Sequence, residues 1–247
     1  GPKAKYPVID AHSHNYPGQT DSPSKTLAEW VEIQKKVGVD KTVILTMVAG
    51  EAFDQAVELY MPYPDQFLLY CGILKTDINK PDYPERVAAE LERCYRKGAR
   101  GIGELHDKGY GLTGDHKLPS KERLHPDDKR LDKFWEKAAE LNMPVSLHLA
   151  DHPSAWMPPD VFQERTPVFQ QYNQHGGAGM AYEDLLAILP SLLKKHPKTT
   201  FILCHLANLG NDLGRLSKLL DYHENCYVDL SERDYELGRQ PLGAPKF

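Results

Sequence analysis

Short apolar runs recur along this chain, and most are followed by a longer stretch in which apolar positions return every three or four residues. The runs are YPVIDAH (6–12), KTVILTMV (41–48), QFLLYCGIL (66–74), ARGIGELH (99–106), PVSLHLA (144–150), TTFILCHL (199–206) and CYVDLS (226–231). Their length and their content of Val, Ile, Leu and aromatic residues predict seven strands. Between them TLAEWVEIQKKVG (26–38), YPERVAAELERCYRKG (83–98), DDKRLDKFWEKAAELN (127–142) and AYEDLLAILPSLLKKH (181–196) carry helical spacing. Gly38 and Gly98 stand just past the last apolar positions of the first two, where helices stop. Strand and helix alternating in this way predict an α/β fold of parallel βαβ units with right-handed crossovers. At 247 residues the chain has the size of one α/β barrel, and no change of composition marks a linker, so a single domain over 1–247 is expected.

Two long excursions interrupt this alternation, KGYGLTGDHKLPSKERLHP after the fourth strand and DHPSAWMPPDVFQERTPVFQQYNQHGG after the fifth. Both leave the C-terminal end of a strand, where a (β/α) barrel builds its pocket. Trp156, Met157, Phe162 and Phe169 favour packed pocket walls over solvated insertions.

Composition narrows the partners. The hydrophobic share of 40% and charged share of 26% are ordinary for a globular protein, and no apolar run is long enough to span a bilayer. A formal charge of −5, with no basic stripe, argues against a nucleic-acid partner but identifies no substrate; a small-molecule substrate is expected from the chemistry of the strand ends, and self-association stays open. Cys71, Cys94, Cys204 and Cys226 form no CxxC pair, and buried free thiols are expected rather than disulfides or a thiolate zinc site. That points to a reducing, cytoplasmic setting, although the opening Gly1-Pro2 has the look of a processing scar and leaves a removed targeting segment open.

Candidate chemistry lies at the strand ends. Alternation along a strand puts Val8, Asp10, His12 and His14 on one face, so two imidazoles share a side. His148 ends the fifth strand, His205 the sixth, and Glu104 the fourth. In a parallel barrel these ends open on one rim, and three or four imidazoles with a carboxylate form a donor set for zinc or another borderline divalent ion. Each residue alone is equally well a structural group. Glu104 has the further options of pairing with Arg100 or Lys108, or of bridging two ions with its two oxygens. His106 is expected beside the ligands, and Asp229 either orients a histidine or caps a turn. His116, His125, His175, His196 and His223 are expected at the solvated surface.

The segments VIDAHSHNY, GIGEL, PVSLHLADHPSAW, HPKTTFILCHLANLGNDLGRLSKLLDYHENCYVDLS and ELGRQP together resemble the amidohydrolase superfamily, in particular its amidohydrolase-2 (amidohydrolase-related) branch. The resemblance implies a TIM-type (β/α)8 barrel with a mononuclear or binuclear centre. It matches His12 and His14 to the strand-one ligands, His148 to the strand-five ligand, and His205 to the strand-six histidine, a ligand in some members and an acid, base or electrophile in others. Glu104 stands where many members carry a carbamylated lysine. The strand-eight aspartate of the superfamily has no counterpart before Phe247, so the eighth strand is expected to be missing from this sequence.

What the resemblance implies is a metal-dependent hydrolase, with Zn²⁺ as the favoured ion and an ester, lactone or amide as substrate. His205, Glu104 and Asp229 are its catalytic candidates, and His152, Trp156 and Arg165 on the strand-five loop are its substrate-binding candidates. Two alternatives stand beside it: a non-oxidative decarboxylase of the aminocarboxymuconate semialdehyde decarboxylase type, and a non-catalytic protein that keeps a metal for stability.

Overall fold

The computed structural model describes residues 5–14, 26–159 and 173–233. Within them the seven expected strands are present: β1 (Val8–Ser13), β2 (Val39–Leu45), β3 (Phe67–Cys71), β4 (Gly101–His106), β5 (Val145–His148), β6 (Phe201–Leu203) and β7 (Cys226–Val228). They form one sheet in the order of the sequence, with every neighbouring pair parallel. This curled sheet with alternating helices is a TIM-type barrel of seven described strands, as the alternation of patterns predicts.

The helices are α1 (Leu27–Val37), α2 (Glu51–Tyr60), α3 (Tyr83–Lys97), α4 (Asp132–Glu140), α5 (Tyr182–Lys195) and α6 (Leu213–Tyr222). Their ends follow local chemistry. Thr26 and Glu29 close a capping box at the start of α1, and Gly38 ends it in the left-handed conformation at φ 86°. Along α3, Tyr83, Val87, Ala88, Leu91 and Cys94 form the buried stripe that faces the sheet. Two helices lie outside the four quoted patterns. α2 buries Phe53 and Tyr60 and packs Val57 on the core, and α6 buries Leu216 and packs Leu213, Leu219 and Leu220, so both carry apolar positions at helical spacing that the four patterns leave out. The pattern over 127–142 divides into a 3₁₀ turn, Lys129–Leu131, followed by α4.

The main core lies between sheet and helices, with Phe53, Tyr83, Phe134, Trp135 and Phe201 fully buried. A smaller cluster of Val43, Leu45 and Tyr70 stands apart from it. The Tyr70 ring occupies the space beside Gly101, where a Cβ would come within 2.3 Å of it. Any side chain at 101 would displace that ring, which explains a glycine at the start of β4. The loop after β4 is packed, with Leu112 and Leu124 fully buried. Beyond β5 Trp156 packs against the core while Met157 is 56% exposed, and Phe162 and Phe169 lie outside the described residues. Among the described residues no helix is long and apolar enough to cross a membrane.

Candidate metal centre

Glu104 lies two residues before the end of β4 with its side chain 3% exposed, and imidazoles from four strand ends surround its carboxylate. Its Oε2 lies 2.8 Å from His14 Nε2 and 2.7 Å from His106 Nε2, with His12 Nε2 at 3.6 Å. Its Oε1 lies 2.7 Å from His148 Nδ1 and 3.3 Å from His205 Nε2. Neither expected structural pairing of Glu104 is formed. Lys108 pairs instead with Asp151 at 3.0 Å, and Arg100 donates to the backbone oxygen of Ala99.

The far sides of these rings are held as well. His12 Nδ1 lies 2.8 Å from Asp229 Oδ2, and His14 Nδ1 is 3.1 Å from the Leu45 carbonyl oxygen. His148 Nε2 is 3.0 Å from Asp151 Oδ1, and His205 Nδ1 donates to the Ser231 carbonyl at 2.8 Å. An imidazole bound on one nitrogen by a carboxylate or carbonyl presents the other in a fixed tautomer and direction, the usual support of a metal-binding histidine.

Backbone strain accompanies this arrangement. His205, Leu206, Ala207 and Asn208 have φ of 59°, 57°, 55° and 54°, a left-handed turn without a single glycine. L-residues resist that conformation, so surrounding bonds must fix it. Asp229 Oδ1 accepts from His205 N, the Asp229 carbonyl accepts from Leu206 N, and Tyr182 Oη donates to the Asn208 carbonyl. The turn lets Cys204 and His205, neighbours in sequence, both belong to the cluster.

Charge follows geometry. Burial opposes ionisation of Glu104, but hydrogen bonds from His106, His12, His14 and His148 outweigh it and hold the carboxyl far below its usual range. Burial likewise disfavours a charged His12, yet Asp229 and Glu104 raise it to about 9. His148 is raised in the same way by Asp151 and Glu104, whereas burial keeps His106 below its ordinary value. Without a metal, positive charge is therefore favoured on His12.

The residues fit a divalent ion by the chemistry of their donors. Ligand atoms of Glu104, His148 and His205 all lie within 4.8 Å of one another, and so do those of His12, Glu104 and Cys204. Neutral imidazole, carboxylate and thiolate are the donors that zinc accepts.

Of the residues singled out from sequence, the structure brings together His12, His14, Glu104, His148, His205 and Asp229, with His106 among them. His152 is engaged in capping the 3₁₀ turn Pro153–Trp156 through Ser154, and Trp156 donates its Nε1–H to the Met180 carbonyl. Arg165 lies outside the described residues. Three histidines expected at the surface are not there. His196 and His223 are buried, His196 beside Asp132 at 3.4 Å, and His125 sits 2.7 Å from the buried Asp107. Helix-end and loop positions conceal such contacts, because the partner comes from a distant segment. Nothing in the sequence marks Asp151 or Cys204 as a site residue. Asp151 lies three residues past His148 in HLAD, a spacing that suggests a return contact only once the strand end is known.

The sequence profile described as Amidohydrolase matches residues 9–245. No curated protein sequence matches the chain. Among solved structures, 2,6-dihydroxybenzoate decarboxylase with bound 2,6-dihydroxybenzoate is 17% identical, with a TM-score of 0.59 over 92% of this chain and 81% of that one. A dihydroxybenzoic acid decarboxylase from Polaromonas sp. JS666, with bound manganese and 2-nitroresorcinol, is 18% identical, with a TM-score of 0.53 over 90% of this chain and 76% of that one. 4-Oxalomesaconate hydratase from Rhodopseudomonas palustris is 16% identical, with a TM-score of 0.56 over 90% and 74%. At these identities the likeness is one of fold.

Proposed function

Because this chain belongs to the amidohydrolase family, we propose that it is a metal-dependent enzyme that hydrolyses an ester, lactone or amide bond of a small molecule. The observation that carries this reading is Glu104, a buried carboxylate whose two oxygens face imidazoles from four strand ends. A bound Zn²⁺ or similar ion would supply the acidity that brings the pKa of water down to about 7 and would polarise a carbonyl.

The chain's own residues would do the rest. His12, His14, Glu104, His148 and His205 would hold the ion, with Asp229 keeping the Nδ1 proton of His12 and Asp151 keeping the Nε2 proton of His148. His205, fixed through Nδ1 to the Ser231 carbonyl, presents Nε2 to the same space and would stabilise an oxyanion or join the ligands. Asp229 anchors both His12 and the backbone of the strained turn, so it would set the geometry of two strand ends at once.

Hydrolysis is tested by stripping and reloading the ion and assaying ester, lactone and amide panels. Turnover that disappears on stripping and returns with metal supports the reading, and a fully loaded protein inert toward all three overturns it. Decarboxylation is the second reading, favoured by the two decarboxylases whose folds match 90% or more of this chain. Carbon dioxide released from hydroxybenzoates by the loaded protein, with the ester and lactone panels silent, would establish it instead.

A further inference from the structure

We infer that the Cys204 thiolate is a ligand of this centre, and that it makes the site one for a thiophilic divalent ion such as zinc in preference to manganese or magnesium. The inference rests on the metal-dependent reading above and adds a ligand that the strand-end histidines do not predict. Its first support is position: the sulfur lies within 4.8 Å of donor atoms of both His12 and Glu104.

The second support is the path of the backbone. Cys204 N donates to the Leu147 carbonyl at 3.0 Å, continuing the β5–β6 ladder so that Cys204 stands level with His148. Its Sγ lies 3.2 Å from Ser146 Oγ, and Ser146 precedes His148 by two residues, on the same face of β5. Strand alternation would place residues 204 and 205 on opposite faces. The left-handed turn that begins at His205 removes that restriction and turns both side chains to the centre.

The third support comes from the other cysteines. All four are buried and free, but Cys71, Cys94 and Cys226 belong to the main apolar core whereas Cys204 belongs to neither apolar cluster. Its surroundings are a hydroxyl, an imidazole and a carboxylate. Packing accounts for three of the thiols and leaves the fourth to be explained by its donors.

On coordination the sulfur gives a lone pair to the ion and its proton leaves to solvent, with no change of oxidation state. Thiolate selects zinc, cadmium and cobalt over the harder manganese and magnesium ions, which favour oxygen donors.

Cobalt(II) substitution tests this without reference to turnover. The wild-type protein is expected to bind cobalt and to show a near-ultraviolet sulfur-to-cobalt charge-transfer band beside the visible d–d bands. Cys204→Ser should lose the charge-transfer band and keep the d–d bands. Its affinity for zinc should fall by more than the roughly 10- to 100-fold that removal of a supporting group costs, while its affinity for manganese holds.

Cobalt bound with d–d bands alone would overturn the role of Cys204 and leave the metal site standing. Failure to retain cobalt at all would overturn both. The wild-type spectrum decides the question even if Cys204→Ser does not fold, and equal zinc affinity in a folded Cys204→Ala protein would also refute it.

Discussion

The middle of the sheet and its two flanks contribute to one cluster but are held by different forces. β4 is buried from Gly101 through Leu105 and β5 throughout, so apolar contact on both faces fixes the positions of Glu104 and His148. On β1, Val8 and Ile9 are exposed, and on β7 Tyr227 is exposed. Yet β1 delivers His12, the residue just past β7 is Asp229, and a 2.8 Å hydrogen bond joins them. Burial positions the middle of the site. At the flanks a polar contact between side chains 217 positions apart does the same work.

The largest effect should come from the residue on which both regions converge. Glu104→Gln removes the charge that draws the imidazoles together, and retained metal, measured by elemental analysis after dialysis, should fall to background. Glutamine retaining a full complement would show that the histidines suffice. Next comes the middle of the sheet itself. Ile102 is fully buried on β4, and Ile102→Ala should cost about 2–5 kcal/mol in a denaturant titration. If the fold survives, Glu104 stays in place and metal stoichiometry should not change.

These responses bear on what the sequence makes legible. Strand order, the parallel arrangement and the convergence of His12, His14, Glu104, His148 and His205 are readable because burial writes long apolar runs and strand ends are local features. Asp151 and Cys204 are harder to see. Asp151 reaches back to His148 through a loop conformation, and Cys204 depends on a left-handed turn that four non-glycine residues do not announce. For Asp229 the sequence leaves two roles open, and both are partly realised: it holds His12 and also accepts from the backbone of His205 and Ser231. The buried His196 and His223 show the same limit from the other side, since polarity at a helix end says nothing of a partner from another element.

Asp229→Asn tests the polar bond of the flanks and should act more mildly, because the amide keeps the shape. Metal affinity should fall about 10- to 100-fold, as for other groups that orient a metal-bound imidazole. In the metal-free protein His12 should drop from about 9 toward its ordinary value, followed by NMR titration. A histidine raised on folding contributes stability that is complete below its unfolded value and lost as pH rises through its folded one. Metal-free wild type should therefore weaken between about pH 6.5 and 9, and the variant should show a shallower slope, with the part due to Glu104 and His148 remaining. An unchanged His12 titration would mean that Glu104 alone sets its charge.

The smallest effect is expected at Ile9, and it sharpens the comparison because the chemistry of the change equals that at Ile102. Ile9 is 57% exposed on β1, so truncation removes contacts with solvent rather than with a core, and Ile9→Ala should alter stability by no more than about 0.5 kcal/mol. Metal affinity should hold, since His12 and His14 are tied through Asp229, Glu104 and the Leu45 carbonyl and not through the outer face of the strand. A cost approaching that of Ile102→Ala would mean that this face of β1 is covered in solution. The flanks would then be held by burial as the middle is, and Asp229→Asn should lose its selective effect on the metal.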